Sequence, residues 1–278
     1  MTKSSKQDST SRKSAATTPP TSSGGIRRAI RLLDLVVSEG PVRFAELLEL
    51  SGIPKATLHR LLNDLADERF LQFDERSHTW SSAFRILEMA NRIWTRSDIR
   101  VLAQDQLLAL NALSGETVQI AVLADTNVVV IDHVESTRSI RHSVSVGSRM
   151  PVYCTGTGKV LLAWCEKKQQ RDIISRISFS RFTPNTITAK RALLQELNAI
   201  SRRGYAIDAE ERFLGSHCIA APVVDSTGKA IAGLSITAPL FRTSEEELIS
   251  WGPELIAAAA EISRRLAPRT GLTNEASH

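Results

Sequence analysis

Cysteine is scarce in this 278-residue chain, and Cys154, Cys165 and Cys218 stand in no CxxC or CxxxC spacing. An odd count without metal-ligand spacing argues against a disulfide framework and a structural zinc site, so all three are expected to be reduced thiols. Long apolar runs are missing as well. Nothing approaches the roughly 18 residues of a membrane span, and the start of the chain has no apolar segment of the kind a signal peptide needs. The expectation is a cytoplasmic protein with no membrane partner. The first 25 residues contain no aromatic side chain and almost nothing apolar, so they cannot bury enough surface to offset the entropy of ordering. Residues 1–24 are therefore expected to form a disordered basic arm. The remaining length leaves room for two domains, each with a core of its own.

The formal charge is +5, which suggests nucleic acid only if the charge sits in the right place. Residues 1–24 carry four Lys/Arg and one Asp, whereas residues 25–80 carry eight basic and nine acidic residues. The excess lies mostly in the arm, so local arrangement has to decide. Locally, no Asp or Glu occurs from 50 to 63.

IRRAIRLLDLVV, residues 26–37, places Ile26, Ile30, Leu33 and Val37 at helical spacing, with Arg27, Arg28 and Arg31 on the remaining surface. This helix should stop at Gly40 and Pro41. A second short run, FAELLELSG, ends at Gly52, and Pro54 suits the first turn of a third helix, where its missing N–H costs nothing. There Leu58, Leu61, Leu62 and Leu65 form one stripe, with Ala56, His59, Arg60 and Asn63 opposite. FLQF and HTW, separated by DERS, read as a hairpin. Helix, helix, Gly turn, helix, hairpin is the order of a winged helix-turn-helix. A helix entering the major groove needs exposed donors near its start, and Lys55, Thr57, His59 and Arg60 supply them. Ala56 offers only a methyl for a thymine methyl. Arg27, Arg28, Arg76 and His78 are candidate phosphate contacts. An ordinary solvated helix carries similar charges, and it is the tri-helical order with its hairpin that favours double-stranded DNA as the partner.

AFRILEMANRIWTRS, from Ala83, reads as a connecting helix over 83–97, followed by a longer helix that stops at Ser114-Gly115. The rhythm then changes. TVQIAVLA, NVVVIDHV, SIRHSVSV, YAID, HCIAAPVV and AIAGLSIT are strand candidates, interleaved with helices near 157–166, 167–176, 190–203 and 244–267. Mixed without regular alternation, they indicate an α+β domain with a largely antiparallel sheet.

In AIAGLSIT, Gly233, Ser235 and Thr237 share one face at period two, while Leu234 and Ile236 share the other. A small polar face in an apolar strand needs partners, and a bound ligand is one such partner. Bonding of Ser235 and Thr237 to backbone, with Cys218 packed as a small apolar residue, is the other reading. CTGTGK leads into a helix, so N–H groups near Gly156 and Thr157 would face outward at a helix N-terminus suited to a carboxylate. TGTGKV is not a phosphate loop, because Tyr153 replaces its first glycine and Val160 stands where Ser or Thr must hold magnesium. His217 and Cys218 are neighbours on a strand and point to opposite faces, which prevents a thiol–base pair. Cys154, His217 and Cys218 lack metal-ligand spacing. No enzyme activity, metal or cofactor is expected.

GIPKATLHRLL, SGETVQIAVL at 114–123, RMPVYCTGTGKVLLA at 149–163, NTIT at 185–188, RRGYAIDAEE at 202–211 and GSHCIAAPVVD at 215–225 together resemble the IclR family of bacterial transcriptional regulators, from about residue 24 to 267. The resemblance implies a winged helix-turn-helix over 25–82, a linker helix over 83–97 and a GAF-like effector-binding domain over 98–270, with a tail at 271–278. It implies homodimers, commonly paired into tetramers, that bind operator DNA and answer to small organic acids, often aromatic or keto acids. It assigns the effector contacts to Gly156, Thr157, Asp208, Cys218, Ser235 and Thr237. An Asp208 carboxylate beside an anion must either accept from an effector hydroxyl or be protonated. Arg43 and Ala56 depart from residues usual in the family, as do Tyr153 and Thr157. The rival class is a small-molecule-binding or hydrolytic protein whose N-terminal helices serve only oligomerisation.

Overall fold

A computed structural model describes residues 24–94 and 99–266. The expected arm, the end of the linker and the tail fall largely outside these residues. The chain forms two compact units, the first running to Ile93 and the second beginning at Trp94.

In the first unit, α1 (Gly25–Glu39), α2 (Phe44–Ser51) and α3 (Lys55–Asp67) surround a small sheet. Its strands β1 (Val42–Arg43), β2 (Leu71–Asp74) and β3 (Thr79–Ser82) pair antiparallel in the order β1-β3-β2. Only the hairpin is legible in the sequence, because a two-residue strand has no periodicity to display. Gly52, at φ 61°, ends α2 in the left-handed conformation that non-glycine residues adopt at a cost. At the start of α2 the Glu46 carboxylate accepts from the Arg43 N–H at 3.0 Å, so half of a capping box survives without a Ser or Thr cap.

The α3 leucines behave as their spacing predicts: Leu58, Leu61 and Leu62 are buried and Leu65 packs at the edge. The stripe expected on α1 does not. Ile26 is 80% exposed, Ile30 54% and Val37 48%, whereas Leu32 and Val36 enter the core. Helix α1 has apolar residues on two faces, and periodicity alone cannot say which of them meets its own unit. The helix α4 (Arg85–Trp94) begins with Arg85 bonded to Glu68 at 2.9 Å.

The second unit is built on a six-stranded antiparallel sheet of order β6-β5-β4-β9-β8-β7. These strands are β4 (Thr117–Ala124), β5 (Asn127–Val134), β6 (Arg149–Pro151), β7 (Ala206–Ala209), β8 (Ser216–Val224) and β9 (Ala230–Pro239). One sheet face packs against α5 (Ile99–Ser114) and α10 (Gly252–Leu266), burying Leu107, Ile120, Leu234, Ile236 and Leu255. The other meets α6 (Gly156–Ala163), α7 (Lys167–Arg176) and α8 (Lys190–Arg203) through Val160, Leu161, Ile173 and Leu197. The two faces of AIAGLSIT thus separate as period two requires.

Two expectations fail here. SIRHSVSV is not a strand, and the sixth strand is Arg149–Pro151. The loop is held by side chains instead: the Thr117 hydroxyl donates to the His142 carbonyl at 2.8 Å, and the Arg242 guanidinium donates to the Ile140 carbonyl. The helix expected over 244–267 is two, α9 (Glu245–Ser250) and α10, with Pro253 in the first turn of α10, a position that interrupts a continuous helix but suits a new one. Among the described residues no helix is long and apolar enough to cross a membrane.

Candidate functional site

On α3, Lys55, Ala56, His59 and Arg60 are exposed and Thr57 is half-buried. His59 Nδ1 lies 3.1 Å from the Asn63 amide nitrogen, and the Phe44 ring meets the imidazole edge-on. Beyond α3, Arg27 is exposed at the start of α1, and Arg76 is exposed at the hairpin tip. There the Arg76 N–H donates to Asp74 at 2.8 Å, and that bond, with help from Ser77, holds the Asp74 carboxyl below its usual range. The wing tip is therefore a mixed-charge turn, less clearly cationic than the α3 edge.

The second unit contains a small pocket, with a cavity volume of about 20 Å³. Its floor follows from strand register: Asp208 on β7 lies opposite Cys218, which lies opposite Thr237, which lies opposite Thr117, one row across four strands. The next row brings Ala220, Ser235 and Gln119 together. The wall is the start of α6, where the Thr155 hydroxyl accepts from the Gly158 N–H at 3.3 Å. Glycine is needed there: a Cβ on Gly156 would sit 2.9 Å from the Cys218 sulfur, and one on Gly158 only 2.3 Å from the Val152 carbonyl oxygen. A Cβ on Gly233 would lie 3.2 Å from Thr157, so the small face of β9 is what lets α6 approach.

Gly156, Thr157, Asp208, Cys218 and Thr237 line this pocket together. Ser235 does not line it; its hydroxyl is fully buried behind, facing the Cys218 sulfur with no nitrogen or oxygen partner among the described residues. Sequence reasoning missed Gln119, His142, Arg212 and Phe213, which also line it. Gln119 was findable, being a polar residue between Val118 and Ile120 in a largely apolar strand. The others sit in loops, where no periodicity marks a facing direction.

Burial perturbs the titrating groups in and around the pocket. Burial pushes the Asp208 carboxyl up to about 6, against the pull of Lys159 and of N–H donors from Glu211 and Arg212. The fully buried Lys159 ammonium donates to the Ile207 carbonyl at 2.5 Å and pairs closely with Glu211. Burial likewise pushes the Cys154 and Cys218 thiols up to about 12, first by desolvation and then by Asp208. A thiol with so high a value stays protonated near neutral pH and is no nucleophile. Among the described residues no group of three or more His, Cys, Asp or Glu is arranged to hold a metal ion.

A three-helix unit with a wing, joined in one chain to a sheet unit with a small polar pocket, is the build of a DNA-binding transcriptional regulator. The comparisons agree. The description "IclR helix-turn-helix domain" matches residues 25–75, and "Bacterial transcriptional regulator IclR C-terminal" matches residues 92–264. The HTH-type transcriptional regulator BhcR of Paracoccus denitrificans is 32% identical over 89% of this chain and 90% of that protein. The crystal structure of the Thermotoga maritima IclR superposes with a TM-score of 0.71 at 30% identity, covering 87% of this chain and 98% of that one. An IclR homologue from Microbacterium hydrocarbonoxydans, complexed with 4-hydroxybenzoate, superposes with a TM-score of 0.75 at 23% identity, over 87% of this chain and 99% of that one. This chain belongs to the IclR family of bacterial transcriptional regulators.

Proposed function

We propose that the protein binds a specific operator in the cytoplasm through α3, and that a small organic acid in the sheet-unit pocket controls this binding. The observation that carries the reading is the division of α3. Its leucines are locked in the core while Lys55, His59 and Arg60 stand in water with no acidic side chain between residues 50 and 63. Phosphate repulsion disfavours carboxylates at such a surface, and an exposed cationic edge on a rigid helix is what groove entry requires. Arg27 and Arg76 are assigned to phosphates, and Ala56 and Thr57 to base edges. Two-fold binding needs a second copy. The exposed Ile26, Ile30 and Val37 of α1, with Phe84 beside α4 and Leu87 and Met89 on it, are the apolar surface that a second copy would cover. Pairing of dimers into tetramers follows the family.

In the pocket, Gly156, Thr157, Asp208, Cys218, Ser235 and Thr237 are assigned to the effector, with Ser235 acting from behind the lining. The N–H groups that begin α6 favour an effector oxygen carrying negative charge. A bound aromatic acid in a relative of the same fold supports an acid here. The effector would bind one packing of the sheet units better than another, and so bias the spacing of the two α3 helices.

The test is a gel shift of the purified protein on its own upstream DNA across a salt series. Preference over random duplex by at least about a thousandfold, with affinity falling steeply as salt rises, is the expected result. Equal, weak binding to both duplexes would leave the N-terminal unit with oligomerisation alone and overturn the proposal.

A further inference from the structure

Arg212 lines the pocket, yet no carboxylate of the protein pairs with it among the described residues. Several other cations of the same unit are answered: Lys159 by Glu211, Arg203 by Glu196, Arg242 by Glu116 and Arg265 by Asp105. The Arg212 guanidinium instead lies 3.7 Å above the Phe182 ring and 4.9 Å from the Phe213 ring, and its buried Nε–H has no acceptor. Nearby Asp208 feels the Arg212 charge but forms no ion pair with it among the described residues, and it already accepts from the Glu211 N–H at 2.8 Å.

This arrangement is braced. The Phe182 N–H donates to Thr186 at 3.0 Å, while the Thr183 and Thr186 hydroxyls donate to the carbonyls of Glu210 and Glu211, both at 2.6 Å. The loop beneath the guanidinium is thereby fastened to the segment that carries it. Behind Phe182, the Tyr153 ring stacks and its hydroxyl bridges the N–H and carbonyl of Ser180, each at 2.8 Å. Aromatic rings occupy the faces of a guanidinium and leave its in-plane N–H edge for a planar, bidentate acceptor. A cation held rigid and left unpaired at a ligand pocket wants an anion from outside.

Building on the effector pocket proposed above, we infer that Arg212 is a specificity-determining residue: its N–H edge pairs with the acid group of the effector and makes the pocket select organic anions over their neutral counterparts. The first N–H groups of α6 contribute partial positive charge, and Arg212 contributes the full one.

Calorimetric titration of the full chain with matched acids and amides tests this, using 4-hydroxybenzoate against 4-hydroxybenzamide, pyruvate against pyruvamide, and a panel of small mono- and dicarboxylic acids. The wild type should bind at least one acid roughly tenfold or more tighter than its amide. R212Q should erase that difference by weakening the acid roughly tenfold or more while leaving the amide unchanged. R212K, which keeps the charge without the fork, should fall between. Acid binding by R212Q equal to wild type overturns the inference and spares the pocket. Equal binding of acid and amide by the wild type overturns it without relying on how any variant folds. Failure of every acid to bind the wild type overturns the acid-effector reading and this inference together.

Discussion

Helices α3 and α6 are each assigned to a ligand, but they solve opposite problems. In α3, one leucine face is buried and the other face stays in water. In α6, all eight residues are buried, including the lysine. A partner as large as a duplex can be met only by an element that leaves half of itself uncovered. A small molecule is held tightly only where protein surrounds it and water is excluded. The sequences differ accordingly: α3 carries cations beside its leucines, whereas α6 carries glycines where backbone meets backbone.

The sharpest way to break this comparison is Gly158→Ala. The new methyl would stand 2.3 Å from the Val152 carbonyl oxygen and 2.4 Å from the Val152 Cα, and backbone cannot swing aside as a side-chain tip does. A loss of about 3 kcal/mol or more in urea unfolding is expected, along with loss of effector binding. A loss below about 1 kcal/mol would mean that α6 is not wedged as its contacts imply.

Arg60→Ala probes the other side. Arg60 is exposed and makes no ion pair among the described residues, so unfolding should stay within about 0.5 kcal/mol of wild type. Operator affinity should fall roughly 10- to 100-fold, and loss of a phosphate contact would also lower the salt slope by about one. Unchanged operator affinity would remove Arg60 from the interface. Gly158→Ala should thus cost stability and Arg60→Ala should cost recognition, each with little of the other.

What the sequence displayed of these two helices follows from how local their determinants are. The α3 face could be read because thirteen consecutive residues hold both the anchor and the edge. The polar face of β9 could be read because Gly233, Ser235 and Thr237 alternate within one strand, and the row from Asp208 to Thr237 rested on motifs shared with a family. Arg212 and Phe182 could not be paired from sequence. They sit in separate loops joined by threonine hydroxyls reaching backbone carbonyls, and such bonds leave no periodic trace. SIRHSVSV misled for a related reason: it alternates like a strand, yet its carbonyls are taken by Thr117 and Arg242. The α1 stripe misled because a second copy of the chain, if it covers Ile26 and Ile30, makes the same hydrophobic pattern that an intramolecular core would make.

The smallest of these effects should come from Asp208→Asn. The Asp208 carboxyl titrates at about 6 in the folded chain against an ordinary 3.8. Between those values the folded state holds a proton that the unfolded state has released, so stability falls as pH rises through this window, and the whole penalty stands above about pH 6. Asparagine cannot ionise, and its carbonyl can still accept from the Glu211 N–H. The variant should therefore be more stable than wild type near pH 7, by about 1–2 kcal/mol, with the gain gone near pH 4. Thermal melts at both pH values measure this, and a gain that persists unchanged at the lower value would show that Asp208 is not the titrating group. Acid binding should respond separately. Under the proposed assignment of Asp208 to an effector hydroxyl, hydroxy acids should lose affinity in the variant more than acids without a hydroxyl. If both effects are found, the carboxylate that weakens the fold is the one the proposed effector contact needs.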